Sequence, residues 1–134
     1  MKLFIDTNVI IDFLRPTRQK HKVAIALFDY LVKAKHQIVI SEDMITTIFY
    51  LSKTEKLQAL RFLKSIQDKW LVLPFGKKTI NQALDLSLEK NLDLEDTLQC
   101  LCAKNNQCDV LITNDISFYN CEIKIQTASE FLNV

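Results

Sequence analysis

FIDTNVIIDFL (residues 4–14) places an acid, Asp6, directly behind an apolar run and follows it with Thr7 and Asn8. KLFI (2–5) reads as a short buried strand. Val9, Ile10, Phe13 and Leu14 then fall at helical spacing, with Thr7 the expected N-cap of that helix. A strand that ends on a carboxylate and turns at once into a helix is informative in an open parallel sheet. Ligands there bind in the crevice beyond the carboxyl ends of the strands.

Reading outward, three more apolar runs have strand character: QIVI (37–40), WLVLPF (70–75) and DVLIT (109–113). IKIQ (123–126) reads as a fifth, shorter strand. Between them lie helical patterns: one around 23–32, one through MITTIFYLSK, EKLQALRFLKSIQ, KKTINQALDLSLEK, and one starting near Leu94. Ser41 and Thr54 are the expected caps of the third and fourth helices. Thr127 with Glu130 three residues on has the capping-box pattern for a last short helix. The order is β-α-α-β-α-α-β-α-α-β-β-α. Strands without polar alternation predict an α/β fold with a mostly parallel sheet covered on both faces.

The length of 134 residues suits a single domain over 1–134, with 49% hydrophobic and 25% charged residues. Seventeen Lys and Arg balance sixteen Asp and Glu, so any nucleic-acid site must be a local feature. The one glycine, Gly76, excludes the glycine-rich phosphate loops of dinucleotide-binding and P-loop proteins. Cys100, Cys102, Cys108 and Cys121 lack paired zinc spacing and are expected to be reduced thiols in a cytoplasmic protein. No signal peptide or membrane span is expected.

Asp6 ends the first strand, and Asp115 lies just past the fourth. Asp93 and Asp96 are three apart at a helix start and can share a face. Glu95 is expected to point roughly 100° away from Asp96. A parallel sheet brings Asp6, Asp96 and Asp115 toward one edge. Three clustered carboxylates repel unless a cation sits among them. Mg²⁺ or Mn²⁺ is the usual solution, and such an ion can activate water and stabilise a leaving oxygen. This chemistry needs no histidine; His21 and His36 look like exposed helix residues. Taken singly, each acid has a plainer reading: Asp6 and Asp93 as helix caps, Asp115 as a loop acid.

The order of these motifs resembles the PIN domain family of metal-dependent nucleases. The matching stretches are FIDTNVIIDFL, SEDMITTIFYLSK, LDLEDTLQCLCAKNNQCDVLITND and IQTASEFL, and together they cover nearly the whole chain. The resemblance implies an α/β/α sandwich, a three-layer fold around a mostly parallel sheet of four or five strands. It implies Asp6, Asp96 and Asp115 as catalytic, metal-binding acids. It implies Asn8 and Thr113 as their hydrogen-bonding support and Asp93 as a secondary contributor. Stand-alone bacterial members of this size resemble the toxin half of toxin–antitoxin pairs. That implies an RNA substrate, a small antitoxin partner and a homodimer.

This sequence departs from the pattern at Thr47, where the family usually has Glu or Asp. Glu42 and Asp43 sit more than one turn earlier and are poor substitutes. Ser117-Phe118 stands where Asp-Phe is common. Arg15, Arg18, Lys20 and Lys22 follow the first helix and Lys53 ends the third; of these Arg15 and Lys53 are the candidates for gripping RNA, and Tyr50 for stacking on a base. The competing readings are a ribonuclease and a catalytically weakened module that binds RNA or a protein without efficient cleavage. A phosphatase of the strand-end Asp type is disfavoured, because Asn8 occupies the place of its general acid.

Overall fold

A computed structural model describes residues 1–134. The strands are β1 (Lys2–Ile5), β2 (Gln37–Ser41), β3 (Leu71–Leu73), β4 (Val110–Ile112) and β5 (Ile125–Gln126). The helices are α1 (Thr7–Leu14), α2 (His21–Lys33), α3 (Asp43–Leu51), α4 (Lys56–Ile66), α5 (Lys77–Lys90), α6 (Leu94–Asn105) and α7 (Ala128–Leu132). The order is the one the apolar periodicity predicts, and the strands WLVLPF, DVLIT and IKIQ are each shorter than their apolar runs.

The five strands form one sheet in the order β3-β2-β1-β4-β5, every pair parallel. Right-handed crossovers moving outward from β1 to β3 place α1–α4 on one face. The crossover returning from β3 to β4 places α5 and α6 on the other. The helix contacts agree: α1 packs on α2 and α3, α3 on α4, and α5 on α6. The core holds Leu3, Phe4 and Ile5 of β1 and Leu111 and Ile112 of β4, all fully buried, as expected of strands covered on both faces. Phe13, Phe28, Phe62 and Trp70 join the first layer, with ring centroids 4.8–5.8 Å apart.

Because β1 and β4 are neighbours on opposite sides of the chain's reversal, their carboxyl ends flank the switch point of the sheet. The register pairs Ile5 with Ile112, so the next residues, Asp6 and Thr113, stand side by side.

Several local expectations are corrected. The N-cap of α1 is Asp6, whose carboxylate accepts the Thr7 N–H at 2.8 Å. An acid one residue earlier outcompetes the threonine hydroxyl. Ser41 is the last residue of β2, not a cap, and its hydroxyl donates to Gln99 Oε1 at 2.9 Å. Thr54 lies in a 3₁₀ turn (Lys53–Glu55), and α4 starts without a side-chain cap. The Thr127–Glu130 capping box is present. Cys100 and Cys121 form a disulfide, not two thiols; the fold brings α6 and the β4–β5 connection to 6.0 Å between Cα atoms, a pairing with no spacing signature. Cys102 and Cys108 are free and buried. Burial pushes the Cys102 thiol up to about 12, where it is inert as a nucleophile. His21 and His36 are both half-buried rather than exposed, and His36 Nδ1 lies 3.0 Å from the N-terminal amine, just ahead of β2 and outside any helix.

Candidate active site

At the carboxyl edge of the sheet lies a cavity of about 370 Å³. Asp6, Thr7 and Asn8 line it from the β1–α1 junction, Thr47 from α3, Glu95 and Asp96 from α6, and Asp115 from beyond β4. Arg15, Arg18 and Lys53 complete its rim. Asp6, Asp96 and Asp115 therefore line one cavity at the sheet edge where the topology directs them. Both α-helical layers contribute, since α3 and α6 flank opposite faces of the sheet.

Asp6 is held from three sides. Its Oδ1 accepts the Thr7 N–H, and its Oδ2 accepts Thr113 Oγ1 at 2.8 Å and Asn8 Nδ2 at 3.0 Å. Burial raises its pKa above the ordinary value, against the lowering effect of the Thr113 and Thr7 hydrogen bonds; Asp115 raises it further. Thr113 Oγ1 also accepts the Asp115 N–H at 3.1 Å, linking the two acids through one hydroxyl. Asp115 Oδ1 in turn accepts both the N–H and the hydroxyl of Ser117, at 2.9 and 2.7 Å. Ser117, standing where the pattern favours an acid, is thus a donor that restrains Asp115.

Asp93 caps α6, its Oδ1 accepting the Asp96 N–H at 2.9 Å. It does not line the cavity and acts on Asp96 through backbone geometry and charge. Asp96 is pushed up to about 7, first by desolvation and then by repulsion from Asp93, Asp6, Asp115 and Glu95. Glu95, one residue from Asp96 in the first turn of α6, lines the cavity as well. Its pKa is also raised, by burial and then by Asp43, Asp6 and Asp93. Glu95 is the site acid that sequence spacing missed.

Thr47 lines the cavity with a neutral hydroxyl, which donates to the Asp43 carbonyl at 3.2 Å. Neither Glu42 nor Asp43 lines it. The Asp43 carboxylate is engaged by Gln99 Nε2 at 3.3–3.4 Å and by Ser41. Lys53 does not end α3, which stops at Leu51, but opens the 3₁₀ turn that follows, with φ 47°, a left-handed position that glycine usually fills. Tyr50 is exposed, outside the cavity lining.

The donor set is entirely oxygen, and the three ion pairs of the molecule involve none of these acids. The Thr7 hydroxyl, in the cavity wall, is buried without a partner. Uncompensated carboxylates and an orphaned hydroxyl fit a hard divalent cation. No three acidic, histidine or cysteine side chains converge as a ready-made ligand cluster.

Desolvation, and repulsion after it, set a pH signature for the metal-free protein. An acid whose native pKa lies above its unfolded value contributes most at low pH, and that contribution is lost as pH rises through the native pKa. For Asp96 the window runs from 3.8 to about 7. Asp96→Asn is therefore expected to gain stability over wild type as pH rises from 5 to 8. The gain is on the order of 1 kcal/mol once solvent screening of this half-open group is allowed for. Urea unfolding in EDTA at both pH values measures it; an offset independent of pH would count against a raised Asp96 pKa.

Residues 2–117 match a family model described as PIN domain. The chain is 39% identical over 133 residues to Ribonuclease VapC1 of Aquifex aeolicus, covering 97% of this chain and 92% of that one. Two solved structures share the fold. VapBC2 of Rickettsia felis, bound to a DNA fragment from its promoter, has TM-score 0.71 at 16% identity over 95% of this chain and 98% of that one. Mycobacterium tuberculosis VapC20, a sarcin-ricin loop cleaving toxin, has TM-score 0.70 at 15% identity over 87% and 92%.

Proposed function

As this chain belongs to the PIN domain family, we propose that it is a divalent-metal-dependent endoribonuclease, the toxin half of a toxin–antitoxin pair. The observation that carries the reading is that Asp6, Glu95, Asp96 and Asp115 line one cavity, with Arg15, Arg18 and Lys53 in the same wall. The likeness to a curated ribonuclease over almost the full chain supports the same activity.

In this reading Asp6, Asp96 and Asp115 hold Mg²⁺ or Mn²⁺, with Glu95 beside them. When bound, the ion supplies an activated water and charge stabilisation for the leaving oxygen of a phosphodiester. Asn8 and Thr113 fix the Asp6 carboxylate. Asp93 fixes the start of α6 and so the placement of Asp96. Thr47 supplies a hydroxyl where a fourth carboxylate is usual. Arg15 and Lys53 meet the phosphate backbone of RNA, whose affinity for cations makes binding salt-dependent. The partner is a small antitoxin protein, the active form a homodimer and the compartment the cytoplasm.

The test is cleavage of labelled RNA by purified protein with Mg²⁺, Mn²⁺ or EDTA, in wild type and Asp96→Asn. Cleavage that needs metal and Asp96 is the expected result. Binding of RNA without metal-dependent cleavage would favour the second reading, a weakened binding module, for which Thr47 is the specific observation.

A further inference from the structure

A second cavity, of about 390 Å³, opens beside the acidic one. Asp12, Arg18, Gln19, Lys20 and Asn114 line it, with no hydrophobic residue, and it shares Asn8, Arg18 and Asp115 with the acidic cavity. A polymer leaving the first cavity for the second must therefore pass Arg18.

Arg18 is not a loose surface cation. Its Nε donates to Asp12 Oδ1 at 2.9 Å, and Asp12 is only 5% exposed. The other carboxylate oxygen, Oδ2, accepts Asn114 Nδ2 at 3.0 Å. The Asp12 carbonyl lies 2.9 Å from His21 Nδ1. Asn114 is tied back to the site, its N–H donating to Asn8 Oδ1 at 3.3 Å. The buried acid is thus satisfied on both oxygens, and one edge of the guanidinium is fixed. The terminal nitrogens carry no hydrogen bond to the protein, and the side chain remains 40% exposed. A guanidinium pinned at Nε keeps a two-pronged donor edge for a phosphate. A wall without aliphatic or aromatic side chains offers no aromatic platform for a base, whereas its amide and cationic groups suit phosphate and ribose hydroxyls.

We propose that this second cavity is a subsite for the RNA sugar–phosphate next to the scissile linkage. Arg18 binds that phosphate, and Asp12 is a positioning residue acting through Arg18. The inference rests on the ribonuclease reading above and adds which phosphate is held and by what.

The test uses an RNA oligonucleotide whose cut site has been mapped. Single neutral methylphosphonate linkages are then placed one and two positions to either side of the cut. With wild type, one neutral linkage adjacent to the cut is expected to lower kcat/KM roughly tenfold, the value of one charge-assisted contact. In Arg18→Ala or Arg18→Gln the same linkage should cost nothing more. Asp12→Asn should show an intermediate coupling. If the arginine and linkage losses simply multiply, or if Arg18→Ala lowers the melting temperature and leaves kcat/KM unchanged, the pair is a structural tie and the subsite is wrong. Absence of any metal-dependent cleavage by wild type would instead remove the ribonuclease reading itself.

Discussion

Asp6→Asn is expected to lower metal-dependent RNA cleavage by at least about 10²-fold while leaving the fold intact. The two halves of this expectation have separate causes. Activity falls because the charge at the switch point of the sheet is removed, where both neighbouring strand ends and α6 deliver their acids. Stability changes little because Asn is as good an N-cap as Asp, so the Thr7 N–H keeps its acceptor. The loss falls on the other oxygen, where Thr113 Oγ1 and Asn8 Nδ2 both donate. An amide nitrogen placed there faces two donors, at a cost of about 1 kcal/mol. Removing a buried charge whose pKa is raised by desolvation works in the opposite direction. Thermal melts in EDTA beside cleavage rates in Mn²⁺ separate the effects. Equal activity in variant and wild type would mean that Asp6 is only a cap.

How much of this was legible beforehand depends on the kind of signal. The sheet was, because strands buried on both faces are continuous apolar runs and their connections read as helices. The meeting of Asp6, Asp96 and Asp115 followed from topology alone, since each sits at a carboxyl edge. What spacing could not reveal is anything that depends on the reach of a side chain. Glu95 lines the cavity beside Asp96, although the two are about 100° apart around the helix. Asp43 is withdrawn from the cavity by Gln99, a partner 56 residues away. Cys100 and Cys121 pair across 21 residues because the β4–β5 connection folds back on α6. The Asp12–Arg18 tie was equally hidden: both residues are visible in the sequence, but only burial of Asp12 makes one the anchor of the other.

Thr47→Asp is expected to tighten Mn²⁺ binding roughly tenfold, since ligand charge count tunes the affinity of such sites. The same substitution should destabilise the metal-free protein. Thr47 faces the cavity from α3 across from the acids of α6, where desolvation and then repulsion from the neighbouring acids already push Asp96 up to about 7. Another carboxylate deepens that repulsion without metal and becomes a ligand with it. Backbone terms are small, because Thr and Asp have similar helix propensity and the Thr47 hydroxyl makes only a long bond to the Asp43 carbonyl, at 3.2 Å. The signature is a reversal of sign: a lower melting temperature than wild type in EDTA, a higher one in saturating Mn²⁺. Thr47→Asn, isosteric with Asp and uncharged, should show neither. At low Mn²⁺ the cleavage rate should rise with occupancy in the Asp variant. A variant less stable than wild type in both conditions would show that a carboxylate at position 47 does not reach the ion.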